Sequence, residues 1–347
     1  MRPEAEVVLF LAIAMLGVAA ARRLGVLAPI LLVSIGVAVS FVPDFPQYRL
    51  HPDLVLDGIL PPMLYVAALE TSVPAFRANL RPILLHAIGL VIFTAFTVGL
   101  VTHALLPDVP LAACVAFGAV VAPPDAISAT AVARRIGLPR RVVTILEGES
   151  LINDASALVL LRVAAAAMLG SAVTVTEVGT EVVVAAGGGL LVGVLGAVVF
   201  SALHARIRDP LLDNALSLLT PFILLLVTNA IDASSVVAVV VAGLVLGHRM
   251  PVLMSAASRL QMIAFWRLVK FLLEGVVFLL VGSQLREVIA QLDPPWTRTA
   301  LVTAAVLATV LAGRFLWVFP TAYLPRLVPR VRRRDPIPPP EIGRAHV

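Results

Sequence analysis

Long apolar runs broken by short polar connections follow one another along the whole chain. A helix needs about 20 apolar residues to cross the hydrocarbon core of a bilayer. Runs of this kind fall near 5–21, 25–42, 54–70, 82–106, 110–133, 142–169, 181–203, 211–231, 234–248, 260–285 and 299–322. They predict an all-α polytopic membrane protein with eleven spans, the stretch from 211 to 248 being open to a different division. The first run reads as a retained span and not as a cleaved leader. Glu4 and Glu6 precede it and Arg22 and Arg23 follow it, the reverse of a signal peptide's polarity.

The connections alternate in charge. Arg22/Arg23, Arg77/Arg81, Arg134/Arg135/Arg140/Arg141, Arg206/Arg208 and Arg249/Arg259 occupy every second one. The others carry Asp44, Asp108, Glu177 and Asp232, with Arg49 a minor exception. An excess of Lys and Arg marks the cytoplasmic side, so the N-terminus is expected outside and the basic stretch Arg330–Arg334 inside. Residues 325–341, rich in Pro and Arg, are expected to form a juxtamembrane tail without a core of their own. No short-period repeat is visible.

Composition agrees with the pattern. Of 347 residues, 60% are hydrophobic and 14% charged, against about 45–50% and about 25% in soluble domains. One core could not hide that much apolar surface, so most of it must face lipid. The single cysteine, Cys114, excludes internal disulfides and cysteine-based metal clusters. The net charge of +5 lies in short connections between spans, which sets nucleic-acid binding aside.

An ionisable residue inside a span costs several kcal/mol and points by default to function. The acids placed on spans are Asp57, Glu70, Asp125, Glu147, Glu149, Asp154 and Glu274; the bases are Arg162, Lys270 and Arg314. They concentrate in spans five and six. In span five, Pro123 and Pro124 remove consecutive backbone donors in mid-span and Asp125 follows at once. Backbone unwound in this way persists in a membrane where it lines a cavity or binds an ion. In span six, Ser150 and Asp154 lie one turn apart with Asn153 beside them. Their hard oxygens suit Na⁺ or another small hard cation. A carboxylate withdrawn from water also keeps its proton more readily, so one group taking either a proton or a cation is enough for exchange.

Glu149 needs a cationic partner or a proton, and Arg314 in the last run lacks an evident neighbour, so a Glu149–Arg314 bridge between spans six and eleven is expected. Glu70 ends span three, either facing the cavity or sitting at the interface, and Glu274 is placed to pair with Lys270 along one helix face. His86 and His103 have no metal-ligand companions. Gly187, Gly188, Gly189, Gly193 and Gly196 predict close helix packing, with a dimer interface as one form of it.

The stretch EGESLINDASALVL (147–160) resembles the monovalent cation:proton antiporters, the sodium/proton exchanger family. LPPMLYVAALETSVPAFRANLRPI (60–83) and GAVVAPPDAISATAVARRIGLPRRVVTILEGES (118–150) agree in order and spacing, and the likeness covers essentially the whole chain. It implies a plasma-membrane secondary transporter, a homodimer working by alternating access without a resident cofactor. Its dimerisation part would be 1–75 and 181–290, and its ion-transporting core 80–170 and 297–322. Asp154 would carry the competing cation and proton, with ligands from Ser150 and the backbone near Pro124; Glu149 and Arg314 would form a structural bridge. The Asn153–Asp154 pair implies the electroneutral branch.

The resemblance is not complete. Pro124 stands where a threonine is usual, leaving only its carbonyl to ligate, and Val66 replaces a span-three carboxylate that Glu70 does or does not supply. The family has a further pair of helices after the one carrying Arg314. This chain runs through RRRDPIPPP to EIGRAHV and stops, so a truncated end, or foreign residues over 335–347, and an incomplete ion site are expected. Na⁺/H⁺ exchange is the leading expectation and K⁺/H⁺ exchange the next, because the motif does not choose the cation. An intramembrane aspartyl enzyme using Asp125 and Asp154 lacks any supporting catalytic motif. A non-transporting assembly subunit is favoured only by the missing helices.

Overall fold

A computed structural model describes residues 3–42, 53–124, 129–130, 132–133, 136–168, 175–292 and 296–323. A helical segment stands at each of the eleven apolar runs, and no strand occurs among the described residues. In chain order the helices are α1 (Pro3–Leu24), α2 (Ala28–Ser40), α3 (Leu60–Glu70), α4 (Val73–Ala78), α5 (Leu80–Leu84), α6 (Val91–Leu105) and α7 (Leu111–Val121). There follow α8 (Arg140–Met168), α9 (Val175–His204), α10 (Pro210–Asn229), α11 (Ser235–Leu253), α12 (Ala256–Ser283), α13 (Leu285–Ala290) and α14 (Trp296–Tyr323). A π-helical turn, Leu54–Ile59, leads into α3, and a second, Leu85–Leu90, joins α5 to α6.

Among the described residues, six helical stretches are long and apolar enough to cross a membrane: Leu80–Leu105, Arg140–Met168, Val183–His204, Pro210–Asn229, Ser235–Leu253 and Trp296–Thr321. The apolar helices α2 and α7 are shorter. The apolar run at 110–133 is the clearest divergence from the sequence pattern, because α7 stops at Val121 and the backbone bends through Ala122 and Pro123. Proline removes the donor and crowds the preceding turn, so the run is one in hydropathy and two in structure. The connections are terminated by conventional means. Gly25 adopts φ +66° after α1, Asp209 caps α10 ahead of Pro210, and Ser234 and Ser255 cap α11 and α12.

Packing sorts the helices into two groups. The segment from α5 through α6, with α7, α8 and α14, forms one; α1, α2, α3 and α9–α12 form the other. The two meet mainly along α8, which touches α3, α9 and α11 on one side and α6 and α7 on another. Within each group small residues bring backbones together. A Cβ on Gly36 of α2 would lie 2.2 Å from the Leu279 carbonyl oxygen, and one on Gly282 of α12 would lie 2.2 Å from that of Val33. Gly118 stands in the same relation to Ala95 across α7 and α6, at 2.3 Å.

The glycine stripe of α9 packs within the chain. Gly188, Gly189 and Gly193 meet Ala233, Ser234 and Ala238 at the start of α11, and Gly196 meets Leu224 of α10, whereas Gly187 faces open space. Val183, Leu190, Leu191, Val194 and Val198 of α9 point outward. The juxtamembrane tail expected at 325–341, and the residues 335–347 expected to be foreign, lie outside the described residues.

Candidate functional site

The longest element of the first group, α8, carries the polar cluster. Its N-terminal turn is tied down by Arg141, whose Nε donates to Asn79 Oδ1 at 2.7 Å. Asn79 occupies the kink between α4 and α5 and also donates from Nδ2 to the Ala75 carbonyl. Further along, the helix shows different faces to the two groups. Leu151, Ala155 and Leu158 join the apolar cluster built from Tyr65, Val66, Val239 and Val240 in the second group. Glu149, Asn153 and Ala157 succeed one another every four residues on a separate face, and Ala157 packs with Val91 and with Ala122 at the break in α7. At about 100° per residue, Ser150 and Asp154 fall on the flank between those two faces. Both are half-buried.

Burial distinguishes the members of this cluster. Glu149 and Asn153 are each only 1% exposed. Arg314 on α14 places Nη2 3.0 Å from Glu149 Oε1, joining helices that are distant in sequence. Asn153 has no such partner: neither Nδ2 nor Oδ1 makes a hydrogen bond among the described residues. An amide buried in that state costs a few kcal/mol unless something else satisfies it.

The other sequence-level candidates separate. Pro124 lies in the irregular backbone after the α7 break, close in sequence to Ala122 and so to the Ala157 contact, while Asp125 lies outside the described residues. Glu70, at the end of α3, is bound by Lys270 of α12, Nζ to Oε2 at 3.1 Å. Lys270 therefore takes a partner from another helix, where pairing with Glu274 along its own was expected. Asp57 and Arg162 are exposed. His86 and His103 each set Nδ1 against a backbone carbonyl, of Pro82 at 2.6 Å and of Val109 at 2.8 Å.

Two polar features escape sequence reading. Trp317, three residues after Arg314, donates its indole N–H to the Leu85 carbonyl at 3.1 Å. That carbonyl opens the π-turn, where the wider helical register leaves backbone groups needing other partners. His204 and Asp213, buried between α9 and α10, pair through Nδ1 and Oδ1. Their only sequence signal is a His and an Asp on either side of a short basic connection.

The sodium/hydrogen exchanger transmembrane family model matches residues 8–335. An uncharacterized Na(+)/H(+) exchanger of Mycobacterium tuberculosis is 37% identical over 332 residues, covering 94% of this chain and 60% of that protein. The sodium, potassium, lithium and rubidium/H(+) antiporter of Bacillus subtilis is 30% identical over 305 residues, 84% of this chain and 45% of that protein. The chain thus spans about 60% or less of the length of these relatives. The sodium proton antiporter MjNhaP1 of Methanocaldococcus jannaschii superposes with a TM-score of 0.72 at 17% identity, covering 100% of this chain and 93% of that one. At that identity the likeness is one of fold, including the discontinuous helix.

Proposed function

The chain belongs to the sodium/hydrogen exchanger family, and on that premise we propose that it is a secondary antiporter exchanging Na⁺ or another monovalent cation for H⁺. The observation that carries this reading is the buried amide of Asn153, unsatisfied among the described residues, beside Asp154 and Ser150 and one turn from the Ala122 contact with the broken helix. A cation with its residual water would satisfy such a group. Asp154 takes the cation or the proton, Ser150 and Asn153 supply neutral oxygens, and the Pro124 carbonyl and Asp125 complete the site from the sequence that follows α7. Glu70 is a weaker candidate, already held by Lys270. Glu149 and Arg314 fix α8 to α14 without taking part in exchange.

Alternating access follows from the position of Asp154 on the flank of α8, where the two helix groups meet. The second group serves as the fixed, dimer-forming scaffold and the first as the moving core, with eleven crossings, the N-terminus outside and the plasma membrane as its place. Selectivity extends beyond Na⁺, a reading favoured by the Bacillus subtilis relative, named for four alkali cations. Exchange is electroneutral, since Asn153 adds a ligand without a second titrating charge.

The test is reconstitution in proteoliposomes with a preset pH gradient, followed by addition of Na⁺, K⁺ or Li⁺. Cation-dependent collapse that disappears in Asp154→Asn supports the proposal. Collapse of equal size in Asp154→Asn removes Asp154 from the mechanism.

A further inference from the structure

Away from the polar cluster of α8, the second group holds a cavity of about 290 Å³ between α3, α11 and α12. Leu69, Met250, Met262, Ile263 and Trp266 give it apolar walls. Arg259, Arg267 and Glu70 line it as well. On α12 the residues at 259, 262, 263, 266, 267 and 270 recur at three- and four-residue spacing, so one helix face alternates cations with apolar side chains. The Trp266 indole N–H is occupied elsewhere, donating to Ser217 Oγ at 2.9 Å. What that ring offers the cavity is therefore hydrocarbon.

The cations of this face differ in their partners. Lys270 is neutralised by Glu70, which also removes the carboxylate's repulsion for an anion. Arg259 and Arg267 make no hydrogen bond or ion pair among the described residues, although elsewhere Arg314, Arg141 and Arg286 all hold protein oxygens. An arginine within a membrane span is costly without an anion, and one at the span's end is placed to attract anionic head groups. Basic pockets between membrane helices meet that need with lipid head groups.

We propose that this cavity binds an anionic phospholipid, its phosphate held by Arg259 and Arg267 and the first carbons of its chains covered by Trp266, Met262 and Met250. Eight residues, about 12 Å of helix, separate the two arginines, so their guanidiniums reach one head group from opposite ends. The guanidinium fork suits phosphate oxygens in a way a lysine does not. The methionines adapt to chains of different shape. A free inorganic anion would use the arginines and leave the apolar walls empty.

Thermal unfolding of the whole chain in detergent tests this, with phosphatidylglycerol, phosphatidylcholine or inorganic phosphate added in turn. Phosphatidylglycerol should raise the melting temperature in a concentration-dependent way; the other two should leave it unchanged. In Arg259→Gln/Arg267→Gln the lipid's apparent affinity should fall by about tenfold or more. The lipid-free melting temperature should stay where it was, because neither arginine has a partner to lose among the described residues. Met250→Trp, which fills the cavity and keeps both charges, should block the lipid effect as well. Equal stabilisation by inorganic phosphate, or an undiminished lipid effect in both variants, overturns the proposal.

Discussion

Arg314 Nη2 lies 3.0 Å from Glu149 Oε1, although 165 residues separate them. Glu149 is 1% exposed, so this contact holds a carboxylate that has left water almost entirely. Burial of that kind is sustained only where the charge is matched. The bridge also fixes the approach of α14 to α8, the helix along which the two groups meet.

Removing either partner takes the counter-charge of this contact from the other. Glu149→Ala and Arg314→Ala are each expected to lower stability by about 3–5 kcal/mol. Exchanging the two charges should restore part of the loss. Thermal melts of the two single variants and the swap check this, and unchanged melting of both singles would rule the bridge out as a structural element.

Gly89 and Trp317 form a second coupled pair. A Cβ on Gly89 would stand 2.4 Å from Trp317 Cζ2, so Gly89→Ala must displace the indole and its hydrogen bond to Leu85. A loss of about 1–3 kcal/mol is expected. The same substitution in a Trp317→Leu background should cost distinctly less, because the clash and the bond are already gone. Equal losses in the two backgrounds would separate the residues energetically.

Glycine to alanine should have opposite signs at two helical positions. At Gly36 the new methyl meets the backbone oxygen of Leu279 and must push α2 from α12, for a loss of about 1–3 kcal/mol. At Gly187 nothing lies within 4 Å, and alanine's helix preference should add up to about 1 kcal/mol. Parallel unfolding curves decide it; a destabilised Gly187→Ala monomer would place an unseen contact there.

Asp154→Asn is expected to reduce cation-driven proton flux to background while leaving expression and melting near those of the parent. The amide keeps the size of the carboxylate and loses both its charge and its proton affinity. Proteoliposome flux assays measure the first effect and melting curves the second. Normal flux would sink the assignment.

Exchange of one cation for one proton should be indifferent to voltage. Imposing an inside-negative or inside-positive potential with a diffusion gradient of a lipophilic ion that the antiporter does not carry, and following Na⁺-driven proton movement, tests this. A rate or end-point that tracks the potential would contradict electroneutrality.

What could be read from the chain alone was whatever depends on local order and on the cost of burying charge. Each of the eleven apolar runs contains a helical segment, because a run of apolar residues in lipid can satisfy its backbone only by coiling. The break at Pro123–Pro124 was legible for the reverse reason, a missing backbone donor. The pairing of Glu149 with Arg314 could be expected by elimination, since a buried carboxylate without a counter-charge is untenable. Tertiary structure alone decided the rest. It gave Lys270 to Glu70 and not to its neighbour on the same helix, turned most of the α9 glycines onto α11, and set Trp317 on the Leu85 carbonyl. Such choices depend on how helices cross, and apolar side chains that could equally face lipid or protein carry no mark of which they will meet.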